Sequence, residues 1–198
     1  MKTRPSKELT IGVLALQGAV REHIRMLERC GVKAREIKVV SQLEGLDGLN
    51  IPGGESTTIG KLIVKYGFVE PIKRLAESGI PIYGTCAGLI LIGESVTRGE
   101  QPLLNLMDIT VERNAFGRQT ESFETDLKIG TLGGGPFKGV FIRAPLIEKT
   151  GQEVDVMADV SGKPVMARQR NLLVTAFHPE LTDDTRIHDY FIGMVKEA

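Results

Sequence analysis

The segment Leu9-Thr10-Ile11-Gly12-Val13-Leu14-Ala15-Leu16 is apolar almost throughout and shows no alternation of polar and apolar positions. A strand with one wet face alternates, so a run like this one is expected to be covered on both faces, as in a parallel sheet. The residues that follow supply matching parts. Val20, Ile24 and Leu27 recur at near-helical spacing with Arg21, Glu22, Arg25 and Glu28 turned outward, which predicts a helix over residues 20–30 closed by Gly31. Residues 34–40, 48–51 and 80–83 read as further strands, with helical stretches near 56–66 and 68–77 between them. Strand and helix alternate, so the expected fold is α/β with a mainly parallel central sheet flanked by helices.

After about Gly99 the rhythm changes to short β-like runs at 109–112, 122–129, 139–142, 154–158 and 164–168, which predict short antiparallel additions. Residues 172–177 form the strongest late strand, and 183–195 read as a closing helix with Thr182 or Asp183 as its N-cap. The cluster Gly133-Gly134-Gly135-Pro136 lacks the Gly-Lys-Ser/Thr of a phosphate loop and the spaced glycines of a dinucleotide fingerprint, and reads as a hairpin or loop. With no linker, repeat or low-complexity stretch, the expectation is one domain over residues 1–198, the first eight being a flexible lead.

Composition narrows the function classes. Lys+Arg total 25 and Asp+Glu total 25 in 198 residues, so the net charge is zero and the electrostatic footprint of a nucleic-acid or anionic-membrane binder is missing. Aromatic residues make up only 5% and Trp is absent, which leaves little material for base-stacking platforms. Cys30 and Cys86 are too few for a disulfide framework or a zinc knuckle, and no apolar run approaches the ~20 residues of a membrane helix. The expected location is the reducing cytoplasm. No two histidines stand at metal-binding spacing; His23 and His188, set among charged residues of predicted helices, read as parts of solvated faces, and neither metal nor cofactor is expected.

Three motifs carry chemistry. Gly84-Thr85-Cys86-Ala87-Gly88 lies between a predicted buried strand and the apolar run Leu89-Ile90-Leu91-Ile92, the setting of a nucleophile elbow. Flanking glycines permit the sharp turn, and a helix beginning behind the nucleophile favours negative charge on it. A lone cysteine is more often a small core residue, but this context favours the nucleophile. Phe177-His178-Pro179-Glu180 follows the last strong strand, and residues two apart on an extended chain share a side. Glu180 can then hold the imidazole of His178 in the tautomer that serves Cys86. Ile51-Pro52-Gly53-Gly54-Glu55-Ser56 also follows a predicted strand, and the N–H of Gly54 or Gly53 can join that of Ala87 as an oxyanion hole. A plain loop with Ser56 as helix N-cap is compatible with the same residues. All three motifs fall at the carboxyl ends of strands, where open α/β sheets build their sites.

These motifs, in this order, resemble the class I (triad) glutamine amidotransferases, and Gly12-Val13-Leu14-Ala15-Leu16-Gln17-Gly18-Ala19-Val20-Arg21-Glu22-His23 resembles the opening of the glutaminase subunits of pyridoxal 5'-phosphate synthases. The likeness runs from Thr10 to Val195. It implies a flavodoxin-like fold and hydrolysis of L-glutamine to glutamate and ammonia by Cys86, His178 and Glu180. It further implies delivery of the ammonia to a separate synthase subunit, a TIM barrel in a double-ring hetero-oligomer. The glutamine-binding positions implied are Gly54, Glu55, Ser56, Arg113 within Val111-Glu112-Arg113-Asn114-Ala115-Phe116-Gly117-Arg118-Gln119, Ile142 and Arg143. In chemical terms Arg113 or Arg143 suits the α-carboxylate of the substrate and Glu55 its α-ammonium, and Gln17 is placed to sense the partner.

Three other readings stand beside this one. A glutaminase of another pathway, such as histidine biosynthesis, would share the triad, but the Leu-Gln-Gly-Ala-Val-Arg-Glu-His opening argues against it. A non-catalytic regulatory module would have no need to keep Cys86, His178 and Glu180 together. A cysteine hydrolase of other substrates would be separated by assaying glutamine against peptides and esters.

Overall fold

In the computed structural model, which describes residues 8–97, 99–113, 115 and 122–198, the chain alternates strand and helix in its first half. The order there is β1 (Thr10–Leu14), α1 (Val20–Arg29), β2 (Lys33–Ile37), β3 (Gly48–Ile51), α2 (Ser56–Lys65), α3 (Val69–Glu77), β4 (Ile82–Thr85) and α4 (Ala87–Ile92). It continues with β5 (Gly93–Val96), β6 (Met107–Glu112), β7 (Ser122–Leu127), β8 (Phe137–Ile142), β9 (Leu146–Thr150), β10 (Asp155–Val160), β11 (Lys163–Gln169), β12 (Leu172–Thr175) and α5 (Arg186–Glu197). Asn114 and Phe116 to Gln119 of the segment singled out around Arg113, and Met1 to Lys7 of the lead, lie outside the described residues.

A seven-stranded sheet runs in the order β10-β11-β12-β4-β3-β1-β2. The pairs β12–β4, β4–β3, β3–β1 and β1–β2 are parallel, whereas β10–β11 and β11–β12 are antiparallel. The expected mainly parallel sheet with antiparallel additions is therefore present. Every residue of β3, β4 and β12 is buried, as strands covered on both faces must be. Each fully buried Leu or Ile of this layer contributes about 1.5–3 kcal/mol of apolar transfer. Smaller sheets, β5-β6-β9 and β7-β8, lie outside the main one. Among the described residues no helix is long and apolar enough to cross a membrane.

Where element ends depart from the sequence reading, local hydrogen bonds account for it. Helix α1 closes as expected near Gly31, whose φ of 80° and N–H bond to the Glu28 carbonyl, with the Val32 N–H reaching Leu27, form a Schellman cap. Strand β2 stops at Ile37 instead of Val40, because the Gln42 side-chain oxygen takes the N–H groups of Lys38 and Val39 at 2.7 and 3.1 Å and starts a 3-10 turn over Val40–Leu43. Helix α5 begins at Arg186 with Thr185 as N-cap, and neither Thr182 nor Asp183 caps it. Both precede the helix because Pro179–Leu181 form a 3-10 turn that Thr182 closes through its hydroxyl to the Pro179 carbonyl. The glycine cluster is a loop whose carbonyls at Gly133, Gly135 and Pro136 all accept from the Arg186 guanidinium.

Candidate active site

The parallel register places four strand ends side by side. Thr175 pairs with Thr85, Ile51 with Gly84 and Val13 with Asn50, so the loops after β12, β4, β3 and β1 open on one edge. Cys86 occupies the sharp turn between β4 and α4, at φ 49° and ψ −98°, with its N–H on the Thr175 carbonyl at 2.7 Å. Backbone strain of this kind persists only where the surroundings enforce it. The strain rests on the cysteine itself; the glycines serve close approach. A Cβ on Gly84 would fall 2.6 Å from the Gly88 backbone, and one on Gly88 would collide with the Ile51 carbonyl of the neighbouring strand.

His178 is delivered by the extension of β12, its N–H held by the Val140 carbonyl of β8 at 2.8 Å. Its Nδ1 lies 2.7 Å from Glu180 Oε1, a contact made across the Pro179–Leu181 3-10 turn and not along an extended strand. Proline at the start of that turn pre-sets the backbone that folds Glu180 under the ring. Burial opposes charge on His178, but hydrogen bonds to Cys86 and Glu180, together with their negative charge, raise it to about 10. Glu180 is nearly inaccessible; its burial is outweighed by His23 and His178, and its carboxyl is held far below the usual carboxylate range. Cys86, His178 and Glu180 thus lie together, with Glu180 brought under the ring by the 3-10 turn and not by extended spacing.

The Gly53-Gly54 loop closes the third side. A Cβ on Gly53 would fall 2.5 Å from the His178 ring and 3.4 Å from Cys86 Cβ, so this backbone lies flat against both. The Gly53 carbonyl accepts from the Ala19 N–H at 3.0 Å, and Gln17 supports the next peptide by accepting the Glu55 N–H at 2.9 Å. Gly53, Gly54, Glu55, Ser56, Cys86, Ala87, Arg113, Ile142, Arg143 and His178 all line one cleft of about 560 Å³. Gln17 and Glu180 support this cleft from outside its lining.

Glu55 and Arg113 meet within it, with 3.7 Å between Oε1 and Nη2. The N-cap of α2 is Glu55, not Ser56. Its carboxylate accepts from the Thr57 and Thr58 N–H groups and, at 2.6 Å, from the Thr58 hydroxyl, which chiefly lowers its pKa. Ser56 instead donates to the Gln101 side-chain oxygen at 2.9 Å. Arg143 adopts φ 43°, a left-handed conformation uncommon outside glycine.

Residues 13–197 match the model of the SNO glutamine amidotransferase family. The chain belongs to that family. It is 56% identical over 94% of its length, and all of the relative's, to the "Pyridoxal 5'-phosphate synthase subunit PdxT" of Moorella thermoacetica. It is 59% identical to the protein of the same name from Halalkalibacterium halodurans, over 95% of each chain. A solved structure titled "Crystal structure of glutamine amidotransferase" superposes with a TM-score of 0.90 at 48% identity, covering 94% of this chain and 98% of that one.

Two histidines depart from the sequence reading. His23 and His188 are both fully buried rather than on solvated faces. The amphipathic spacing contained the signal, since His23 lies three residues after Val20 and four before Leu27, and His188 four before Ile192, on the buried sides of α1 and α5. Among the described residues no group of His, Cys, Asp and Glu is arranged to hold a metal ion.

Proposed function

We propose that this glutamine amidotransferase is the glutaminase subunit of a pyridoxal 5'-phosphate synthase, a single domain that releases ammonia from L-glutamine for a separate synthase subunit. The observation that carries the chemistry is the Cys86 elbow beside a His178 whose Nδ1 is held by Glu180 at 2.7 Å. The identity of 56% to a pyridoxal 5'-phosphate synthase subunit over its full length supports the acceptor pathway.

Cys86 sulfur attacks the side-chain carboxamide carbon of glutamine. The oxyanion that forms is met by the N–H of Ala87, at the start of α4, and by that of Gly54 or Gly53. His178 protonates the departing nitrogen, so ammonia leaves and a γ-glutamyl thioester remains. The neutral imidazole then takes a proton from water, whose oxygen displaces the sulfur to give glutamate and free Cys86. Glu180 keeps the ring oriented and stabilises its cation throughout. Arg113 and Arg143 receive the α-carboxylate and Glu55 the α-ammonium, with Ser56 and Ile142 shaping the wall. The reaction consumes only glutamine and water, without cofactor or metal.

The partner in this reading is a TIM-barrel synthase subunit within a double-ring hetero-oligomer in the cytoplasm. Ammonia is mostly ammonium in neutral water and loses its nucleophilicity, so direct transfer is required. The test is affinity capture of the synthase subunit by this chain from a common expression host, followed by glutamine-dependent formation of pyridoxal phosphate. Failure to capture it, with glutamate still released, would reassign the acceptor.

A further inference from the structure

Behind the triad lies a buried polar cluster that the glutaminase chemistry does not use. His23 Nδ1 is 3.1 Å from His188 Nε2, so the first and last helices are joined through two imidazoles. The other nitrogen of His23, Nε2, is 3.0 Å from Thr85 Oγ1 and 3.5 Å from Glu180 Oε2. Glu180 therefore sits between two imidazoles, His178 on Oε1 and His23 on Oε2. The Tyr83 ring meets both His23 and His188 edge-on, and its hydroxyl lies 3.0 Å from Thr175 Oγ1.

A buried carboxylate oxygen without a donor is costly. Among the described residues Glu180 Oε2 has none at hydrogen-bonding distance, and the group that comes nearest is His23 Nε2 at 3.5 Å. A carboxylate only accepts, which requires the hydrogen of His23 on Nε2, shared between Thr85 and Glu180. His188 fixes the opposite edge of the same ring. One imidazole thereby touches both arms of the triad, since Thr85 immediately precedes Cys86 and Glu180 holds His178.

We propose that His23, backed by His188, is a positioning residue for glutamine hydrolysis, fixing Glu180 from behind and tethering the strand end that carries Cys86. This rests on the triad reading of Cys86, His178 and Glu180. Removing the ring frees the Glu180 plane to rotate, and the alignment of His178 with Cys86 loosens.

The test compares His23→Leu, His23→Gln, Glu180→Gln and the double variant His23→Leu/Glu180→Gln in the full chain. Thermal midpoint, kcat and KM for glutamine with saturating synthase subunit, and the rate of Cys86 alkylation by iodoacetamide in the chain alone are measured. His23→Leu is expected to lower kcat on the order of tenfold with KM within twofold of the parent, and to slow alkylation. His23→Gln, which keeps an N–H donor of similar reach, recovers most of kcat. In the Glu180→Gln background the loss from His23→Leu should shrink, because the part that acts through that carboxylate is already gone and only the Thr85 tether remains. A folded His23→Leu with parental kcat and alkylation, or a loss that persists undiminished in that background, overturns the inference. If His23→Leu does not fold, a folded His23→Gln with kcat as low as that of Glu180→Gln overturns it as well. Parental kcat in Glu180→Gln would instead strike down the triad reading itself.

Discussion

A methyl group on Gly53 would lie 2.5 Å from Cε1 of His178, a ring already held between Glu180 and Cys86. The ring has nowhere to retreat, because its Nδ1 is tied to a buried carboxylate. Gly53→Ala should therefore displace His178 or lift the loop, and a misplacement of about 1 Å costs on the order of 10²-fold in rate. Overpacking by one methyl costs about 1–3 kcal/mol in stability, so the variant should remain folded. A folded Gly53→Ala enzyme with parental kcat would show that the loop yields freely.

The triad predicts an order of severity. Cys86→Ala should reduce glutamine hydrolysis on the order of 10⁶-fold while leaving glutamine binding intact, and Glu180→Gln should be less damaging than His178→Asn. Radiolabelled glutamine and rapid acid quench should trap a thioester in the parent and none in Cys86→Ala. Turnover retained in that variant would remove Cys86 from the mechanism.

Much of the fold and the three motifs of the site could be read from the sequence, because each depends on local chemistry. The unbroken apolar run of β1 demanded cover on both faces, and Gly84, Cys86 and Gly88 stand at spacings that few other folds require. The rest depended on partners remote in sequence. His23 and His188, 165 residues apart, look solvated in sequence, and become tolerable in the core only once both nitrogens of His23 and Nε2 of His188 find partners in each other and Thr85. In sequence Glu55 shows only its charge, yet as N-cap it also satisfies the first turn of α2. Strands β5 and β9 carry weak patterns and take their form from pairing with β6.

Arg113 and Arg143 line the same cleft as Cys86 and give it directional positive charge. A guanidinium grips a carboxylate through two parallel N–H donors, which lysine does not reproduce. Arg113→Lys and Arg143→Lys should each raise KM for glutamine about tenfold or more, the worth of one hydrogen bond to a charged group. Alkylation of Cys86 by a small thiol reagent should be unaffected. Parental KM in both variants would move the substrate carboxylate elsewhere.

The histidine pair gives the fold a pH signature. Burial first, and His23 second, push His188 down from 6.5 to about 3, with Glu180 pulling the other way. Between those values the unfolded chain binds a proton that the folded chain refuses, so stability falls as pH falls. The slope approaches about 1.4 kcal/mol per pH unit below 6.5. Glu180 adds a loss of the same sign only below the ordinary carboxylate range near 4.5. Only the difference between parent and His188→Gln in urea midpoints from pH 6.5 to 4.5 isolates His188, since His178, raised to about 10, opposes the decline near pH 6.5 in both; the variant should show the flatter decline. Parallel curves for parent and variant would show that His188 takes its proton without unfolding the chain.

The last prediction concerns the Gly53–Gly54 peptide and the synthase partner. Its carbonyl is occupied by the Ala19 N–H at 3.0 Å, and in a trans peptide this points the Gly54 N–H the opposite way. Reorienting it costs little sterically between two glycines, whereas an oxyanion donor contributes about 10²–10³ in rate. Gln17, in the loop after β1, braces this segment with its oxygen on the Glu55 N–H, so pressure on the exposed Gln17 loop is passed to the peptide. Uncoupled hydrolysis wastes glutamine, and the arrangement fits a chain that is slow alone and accelerated on docking. Glutaminase turnover at saturating glutamine should rise about 10²-fold when the synthase subunit is added. A Cβ on Gly54 would lie 2.5 Å from Gln17 Oε1 and 3.0 Å from Gly18 Cα, so Gly54→Ala should abolish the rise. Equal rates with and without the partner would defeat this switch, and so would full activation in Gly54→Ala.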